Sequence, residues 1–582
     1  MPPRAPSGPK AKKPTKVAAR PAQGPPRAKT KRLVGPSSSS KAKKPSKGGA
    51  RSAQEPPKAK TKKSAGSSMV VKNITTFPTP IIGLITPIGI NKKVITEALG
   101  EILGSLNVEI SIVKLTDILS DIPRYSKIKS IVNAQDEKRI KWLMDAGDHL
   151  RKVANPAALA ILGVKKIGEN QRIETEDSKR IIYIIDSIKH PAELIFLKNL
   201  YSQHFLPIAF FADRENRVSS LMKKIAGAHY IENDKEFKTM SEKLIDRDEY
   251  GGVDNGQNLR DVFPMADVFI NMDNAFKLAL ERSIKLWFAN PFITPSREEV
   301  GMFVASAVAL RSSDLSRQVG AAILAEDGSI LTTGCNEAPS SKGGVIWDGD
   351  PIDIRDFVEG YDTNHRFKQS SIGEVIESLK KHNWLTEDLI KDSLEDLILK
   401  SKKDKVFKGT RIDNLIEFGK IIHAEMAAIS EAAKNGISID NATLICTTFP
   451  CHMCSRHIIS SGVKRVIYIE PYPKSMTWQL YSKVITTVPT KGKVLFTPFE
   501  GIGPNRYREF FENSSRKNKE TGLVIDWKPR KAQPRGRLLY NLNEVAIVVA
   551  SKLVEAEKEK FGYIPVGKKD KTPWKMEVKN ED

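Results

Sequence analysis

His423-Ala424-Glu425 is followed later in the chain by Pro450-Cys451-His452-Met453-Cys454. One histidine and a Cys-x-x-Cys pair offer an imidazole and two thiolates, which are donors that zinc prefers. Three protein ligands leave the fourth tetrahedral position open for water, as is typical of a catalytic rather than a structural zinc site. We therefore predict that His423, Cys451 and Cys454 bind Zn2+.

Both ligand groups are expected at helix starts. Apolar spacing predicts one helix from His423 to Lys434, ended by Gly436, and another from Cys451 to Ser461. The positive end of a helix lowers the pKa of a thiol placed there, which favours the metal-binding thiolate. Glu425 lies in the first turn after the histidine. It is therefore predicted to be the catalytic acid and base that serves a bound water without ligating the metal.

A Cys-x-x-Cys pair is also found in structural zinc sites and in redox pairs. A structural site would need a fourth ligand, for which Cys446, His452 and His457 are the candidates. Cys446 stands in an apolar strand and is expected in the core, and His457 is expected to pack or form hydrogen bonds on its helix. These expectations favour the three-ligand site.

Residues 290–540 are predicted to form one α/β domain around these motifs. An amphipathic helix over 295–312 precedes a hairpin over 318–335, whose turn is Asp327-Gly328. Strands are predicted over 443–448 and 463–469, while about 338–420 is a polar, helical insertion. In the insertion, Trp347 is expected either to close over substrate or to pack in a helix interface. Residues 541–582 are assigned to a C-terminal helix and tail.

A second α/β domain is predicted over 77–275. Apolar strand candidates alternate with helical stretches, and this alternation favours a parallel sheet covered by helices on both faces. The strand candidates cover residues 80–85, 180–186, 206–212 and 266–271.

The N-terminal 68 residues carry most of the charge. They hold 14 Lys, 5 Arg and one acidic residue, Glu55, so they supply +18 of the total +24 and leave +6 for the other residues. This Lys- and Pro-rich tail has almost nothing to bury and is predicted to be disordered. It is either a solvated tail or a salt-sensitive tether for a polyanion. Met69 offers a second candidate start.

The bulk properties indicate a cytoplasmic protein with no membrane span. The chain has 582 residues, and 40% of them are hydrophobic. No apolar run is long enough to cross a bilayer, and the basic N-terminus lacks the apolar core of a secretory signal. The four cysteines are too few for an extracellular disulfide framework.

Several stretches around the metal motif resemble deoxycytidylate deaminases, within the zinc deaminases that carry H-x-E and P-C-x-x-C. The stretches are 307–321, 334–336, 448–454 and 468–475. The resemblance implies a cytidine-deaminase-like α/β/α domain that hydrolyses deoxycytidine nucleotides, dCMP or dCTP, to deoxyuridine nucleotides and ammonia. It also implies that Asn336 contacts the nucleotide sugar. From the sequence alone, Asn336 is equally a turn residue after a strand.

The resemblance continues upstream. Residues 185–193 and 255–257 are similar to the P-loop kinase-like domain fused to such deaminases in bacterial antiphage proteins. This implies depletion of dCTP during infection, a homo-oligomer and, in some members, restraint by a small RNA.

The phosphate-binding loop of such a domain is degenerate here. In Thr86–Lys93, Thr86 and Asn91 replace the two required glycines, and Lys93 replaces the hydroxyl residue. Lys92 is retained, and Asp186 at a strand end is a candidate partner for magnesium. The domain is therefore predicted to be a scaffold or a regulatory nucleotide site, with Lys92 and Asp186 as its candidate ligands, and not a phosphoryl transferase.

The alternative function is a deaminase of single-stranded DNA or RNA, anchored by the basic tail. Such enzymes hold the strand in a basic, aromatic channel, and only +6 of charge remains outside the tail. A third hypothesis, compatible with the first, is a switch in which the kinase-like domain senses a nucleotide and the deaminase responds.

Overall fold

The computed structural model describes residues 80–126, 136–173, 180–252, 255–415, 417–513, 515–536 and 542–562. These residues fall in one contact unit, Lys72–Asp582. The predicted tail over 1–68 lies outside the described residues. No helix in the described ranges is long and apolar enough to span a bilayer.

The first half of the described chain forms a sheet with helices on both faces. Its elements are β1 (Ile81–Ile85), α1 (Lys92–Ser105), β2 (Glu109–Lys114), α2 (Leu115–Asp121), α3 (Asp136–Val153), α4 (Ala158–Ile173), β3 (Ile181–Asp186), α5 (Pro191–Tyr201), β4 (Phe205–Phe211), α6 (Arg214–His229), α7 (Lys238–Glu249), α8 (Leu259–Val262), β5 (Val268–Asn271) and α9 (Phe276–Trp287).

These five strands have the order β2-β3-β1-β4-β5 and all run parallel, and a short sixth strand from later in the chain joins the sheet beside β5. Every residue of β1 is buried, as expected for a strand covered on both faces. The strand order reverses at β1, so the segments that follow β1 and β3 leave in opposite directions. This creates a crevice at the carboxyl ends of the two strands, the usual ligand position in open parallel sheets.

The second half forms a mixed sheet between two helical layers. Its elements are α10 (Arg297–Ala309), β6 (Gly320–Leu324), β7 (Ile330–Cys335), α11 (Asp356–Glu359), α12 (Thr363–Lys381), α13 (Glu387–Ile390), α14 (Leu394–Lys403), α15 (Ala424–Asn435), β8 (Thr443–Thr448), α16 (His452–Ser460), β9 (Arg465–Glu470), α17 (Thr477–Tyr481), β10 (Ile485–Thr486) and β11 (Val494–Pro498). The order is β7-β6-β8-β9-β11-β10, with β6 antiparallel to β7 and β8, and with the other described pairs parallel.

Two glycines let the helices approach this sheet closely. A Cβ at Gly320 would lie 1.9 Å from the Ala305 carbonyl oxygen of α10, and one at Gly334 would lie 2.3 Å from the Ala424 carbonyl oxygen. The paired strands therefore lie directly under α10 on one face and α15 on the other. This contact fixes the start of α15, where the predicted metal ligand lies.

The segment after the second sheet returns to the first. It contains β12 (Gly501–Ile502), α18 (Tyr507–Phe511) and α19 (Leu542–Ala556). β12 pairs antiparallel with β5, and Ala546 and Ala550 of α19 are buried in the same apolar cluster as helix α4. The sequence had placed 501–536 with the second domain, so this connection between the sheets is new information from the structure.

The structure confirms an α/β fold with two sheets. It differs from the expected all-parallel first sheet by the antiparallel β12. The insertion over 338–420 contains α11 to α14 and has a small apolar core of its own, which includes Ile372, Ile376 and Leu397. Trp347 is 58% exposed and stacks with the Arg311 guanidinium, so it is not packed in a helix interface. The kinase-like assignment of 77–275 stays a prediction.

Candidate metal centre

The three predicted metal ligands converge. The donor atoms of His423, Cys451 and Cys454 all lie within 4.8 Å of one another. His423 Nδ1 is 3.2 Å from the Cys451 sulfur and 3.3 Å from the Cys454 sulfur. Among the described residues, these three form the one group of histidine, cysteine or acidic side chains that is compact enough to hold a metal ion.

Helix starts position all three donors. His423 is the N-cap of α15 and Cys451 is the N-cap of α16, so both have extended backbone next to the first helical turn. The Cys451 sulfur accepts a hydrogen bond from the Cys454 backbone N–H at 3.4 Å. Gly436 ends α15 with a left-handed φ of 66°, as its position in the sequence predicted.

The electrostatics of the donors fit a divalent cation. The hydrogen bond to Cys451 raises the pKa of His423 to about 9. The hydrogen bond with Cys454 lowers the pKa of Cys451, while the same bond and burial raise the pKa of Cys454. A bound cation would stabilise both thiolates, and an N,S,S donor set suits zinc.

Glu425 lies beside this cluster. Glu425 is 4% exposed, and its carboxyl lies close to the Cys454 thiol. Burial raises the pKa of Glu425 to about 7. The structure therefore brings all four residues of the predicted site together, although their roles stay predictions.

A buried hydroxyl network, which the sequence analysis missed, supports the ligand loop. The Ser475 hydroxyl donates to the Pro450 carbonyl at 2.9 Å and contacts the Thr477 hydroxyl at 2.8 Å. Ser455 of α16 contacts the same Thr477 hydroxyl at 2.8 Å. Because Pro450 precedes Cys451, this network fixes the backbone that carries the first thiolate.

Asn336 follows β7 and is 6% exposed. Its side-chain oxygen accepts a hydrogen bond from the Val319 N–H at 2.7 Å, and its amide donates to the Arg317 carbonyl at 2.9 Å. Asn336 thus holds the segment before β6 in place. Its predicted contact with a nucleotide sugar stays a prediction.

The alternative fourth ligands lie elsewhere. Cys446 is fully buried in β8, where its thiol points to the Ile467 carbonyl at 3.7 Å, and burial raises its pKa well above the usual range. His457 and His452 are not in the donor group. Cys446 is therefore a core residue, as predicted.

Lys92 and Asp186 lie far along the chain from the metal centre, at the carboxyl edge of the first sheet. The Lys92 ammonium is 3.0 Å from the Asp186 carboxylate, and 33% of the lysine side chain is exposed. The sequence paired these two residues as candidate nucleotide ligands. The structure shows them bound to each other.

A family model agrees with the position of this centre. The model for the cytidine and deoxycytidylate deaminase zinc-binding region matches residues 295–470. Residues 295–470 are therefore similar to the zinc-binding region of that family. The matched segment begins just before α10, ends with β9, and contains the three donors and Glu425.

Individual proteins are similar to this chain over short stretches. Deoxycytidylate deaminase of Enterobacteria phage T2 is 48% identical over 54 residues, which are 9% of this chain and 29% of the phage protein. ComE operon protein 2 of Bacillus subtilis (strain 168) is 43% identical over 53 residues, which are 9% of this chain and 28% of that protein. The chain thus spans less than a third of the length of these relatives.

Solved structures align over the full length of a smaller protein. The dCMP deaminase from the cyanophage S-TIM5, in complex with dCMP and dUMP, aligns at 21% identity with a TM-score of 0.21. The alignment covers 36% of this chain and 99% of that chain.

Proposed function

We propose that the chain is a zinc-dependent hydrolase that converts deoxycytidine nucleotides to deoxyuridine nucleotides and ammonia. The observation that carries the proposal is the convergence of His423, Cys451 and Cys454 within 4.8 Å, with Glu425 buried beside them. The names of relatives such as the phage T2 deoxycytidylate deaminase support a deoxycytidine nucleotide as substrate. dCMP and dCTP are both candidates.

The residues have separate roles in this proposal. His423, Cys451 and Cys454 would hold the zinc ion, whose charge activates the attacking water when it is bound. The Glu425 carboxylate takes a proton from that water, whose oxygen bonds to C4 of the cytosine ring. Glu425 delivers this proton to N3, then takes the remaining proton from the new C4 hydroxyl and delivers it to the exocyclic amine. The C4–N bond breaks, ammonia leaves, and the ring retains the new carbonyl oxygen.

The same proposal includes a biological context carried by the sequence resemblance. Hydrolysis of dCTP or dCMP would lower the deoxycytidine pool that a replicating phage needs. A homo-oligomer, a regulatory nucleotide and a restraining small RNA or other polyanion belong to this part of the proposal. Each of these three partners needs its own binding experiment, separate from the assay of deamination.

The test is ammonia release together with identification of the product. Purified full-length protein is offered dCMP, dCTP, CMP, CTP, cytidine and single-stranded DNA, with a chelated sample and Glu425→Gln as blanks. We expect conversion of dCMP or dCTP in the zinc-loaded protein alone. Conversion of DNA without conversion of any free nucleotide would instead support the polynucleotide deaminase, and activity that survives chelation would contradict the zinc mechanism.

A further inference from the structure

A second cluster of buried charges lies at the carboxyl edge of the first sheet. It occupies the crevice between β1 and β3, where the strand order reverses and where open parallel sheets bind phosphate-containing ligands. The segment 86–91 crosses this crevice between the end of β1 and the start of α1. Its backbone amides and the nearby lysines are therefore the groups that would meet an anion.

Those groups already hold an anion, which is the side chain of Asp248. The Ile88 N–H donates to Asp248 Oδ2 at 2.8 Å. The Lys189 ammonium donates to both carboxylate oxygens, at 2.7 Å and 3.0 Å. A loop amide and a lysine ammonium together form the donor set with which such loops bind a phosphate oxygen. Asp248 thus takes the contacts that a phosphate would use.

Burial makes this arrangement costly to open. Asp248 is 0% exposed and Lys189 is 7% exposed. The Lys189 ammonium also donates to the Thr86 carbonyl oxygen at 2.6 Å, and Thr86 belongs to the same loop. Displacing Asp248 would leave an uncompensated carboxylate inside the protein, and breaking one side of a buried pair is strongly unfavourable.

Lys92, the lysine retained from the loop motif, is also neutralised. Its ammonium pairs with Asp186 at 3.0 Å and donates to the Ser187 hydroxyl. Ser187 has a φ of 84°, a left-handed conformation that is unusual for a residue with a side chain. Both lysines of the crevice therefore have a carboxylate from this chain within 3.0 Å.

The helix that carries Asp248 is held in place independently of the crevice. Asp248 is the second-last residue of α7, and Leu244 and Ile245 of the same helix are buried against α6. The preceding residue, Arg247, pairs with Asp145 at 2.6 Å and with Asp148 at 2.9 Å on α3. Helix α7 is therefore anchored at its carboxyl end. Because the helix is fixed there, the Asp248 carboxylate is expected to stay in the anion site and not to be displaced by a ligand.

We propose that Asp248 permanently occupies the anion site of the first sheet and closes it to nucleotide phosphates. The first sheet then has no phosphate ligand at this edge, and any nucleotide that controls the enzyme acts at another place. The proposal concerns the first sheet alone and does not depend on the proposed deaminase activity.

The test uses thermal unfolding of the full-length protein in inorganic phosphate, in formate and in chloride at matched ionic strength. Asp248→Ala removes the carboxylate, and Asp246→Ala on the same helix is the matched control, since the Asp246 side chain is 63% exposed. All three proteins carry the same basic tail, so binding of anions to the tail cancels in the comparison. We expect phosphate or formate to raise the melting temperature of Asp248→Ala by about 2 °C more than chloride does.

The wild-type protein and Asp246→Ala should show a smaller difference between the anions, equal in the two proteins, because phosphate stabilises folded proteins in general. Equal responses in all three proteins would overturn the proposal, and so would a phosphate-specific stabilisation of the wild type that Lys189→Ala removes.

Should Asp248→Ala fail to fold, a structure of the wild-type protein determined in saturating phosphate decides the question. The Asp248 carboxylate still bonded to Ile88 N and Lys189 would support the proposal. A phosphate bonded to those two groups would show that a ligand can displace the Asp248 carboxylate, and would overturn the proposal.

Discussion

The two sheets each carry a buried cluster of ionisable side chains near strand or helix ends, and the clusters differ in how their charges are compensated. At the first sheet, Lys92 and Lys189 are paired with carboxylates of the same chain. At the second, an imidazole and two sulfurs face one another within 4.8 Å, and a donor set of this kind is completed by a metal ion. A cluster of buried ionisable side chains thus indicates a ligand site only where the protein's own residues do not supply every binding partner.

The largest effect is expected when one donor is removed from the cluster at the second sheet. In Cys454→Ser, a hydroxyl replaces a thiolate, and a hydroxyl is a far weaker zinc ligand at neutral pH. We expect bound zinc to fall well below one per chain and deamination to fall to background. Zinc is measured by elemental analysis of dialysed protein.

The matched control for that change is Cys446→Ala, which removes the buried thiol of β8. It should cost stability and keep its zinc. A Cys454→Ser protein with full zinc and full activity would show that the second cluster does not need Cys454 to hold zinc, and would contradict the comparison.

The next effect should come from Glu425→Gln. The amide keeps the shape of the buried carboxyl and cannot transfer the proton, so we expect kcat to fall by about 10²–10⁴-fold while zinc stays bound. Steady-state kinetics on the preferred nucleotide measure the change. Glu431→Gln on the outer part of α15, where Glu431 pairs with Lys434, should retain wild-type kinetics. A fall shared by both variants would point to damage to α15 and not to lost proton transfer.

A smaller effect is expected when the support of the ligand loop is removed. Ser475→Ala deletes the hydroxyl that holds the Pro450 carbonyl, and loss of such supporting hydrogen bonds commonly reduces metal affinity or activity about 10–100-fold. Zinc competition with a chromophoric chelator measures the affinity. Ser460→Ala at the exposed end of α16 is the control. If the two alanine variants bind zinc equally, the hydroxyl network has no part in positioning Cys451.

The smallest effect concerns the contact between the two halves of the molecule. Glu299 at the start of α10 accepts two hydrogen bonds from Arg282 of α9, both at 2.8 Å, and one from the Ile502 N–H at 2.8 Å. Glu299→Gln removes the charge, and we expect a loss of about 2 kcal/mol in the free energy of unfolding. Urea unfolding of zinc-loaded protein measures this value, and an unchanged midpoint would mean that the two sheets do not depend on this contact.

The metal centre could be predicted from the sequence because its signals are local. The caps of α15 and α16 lie at His423 and Cys451, and Gly436 ends α15 where a positive φ is needed. The β6–β7 hairpin was equally visible, since Asp327-Gly328 turns between two apolar runs. In each case a few neighbouring residues determine the geometry.

The features that were missed depend on residues distant in sequence. Gly501–Ile502 is too short for any strand pattern, and only the structure shows that it pairs with β5. Asp248 and Asp246 stand in one charged helical stretch, yet the first is fully buried and the second is mostly exposed. Ser475, Thr477 and Ser455 are ordinary polar residues until the fold brings their hydroxyl groups together.

The late pairing of β12 with β5 has a consequence for synthesis on the ribosome. The outer side of β5 must remain uncovered until residues 501–502 have been made, and an uncovered strand edge is a site of aggregation. At roughly 5–20 residues per second, the interval between Asn271 and Gly501 is on the order of ten to fifty seconds. The nascent chain therefore exposes an unfinished sheet for that time, and chaperones that bind strand edges would have their main opportunity during that interval.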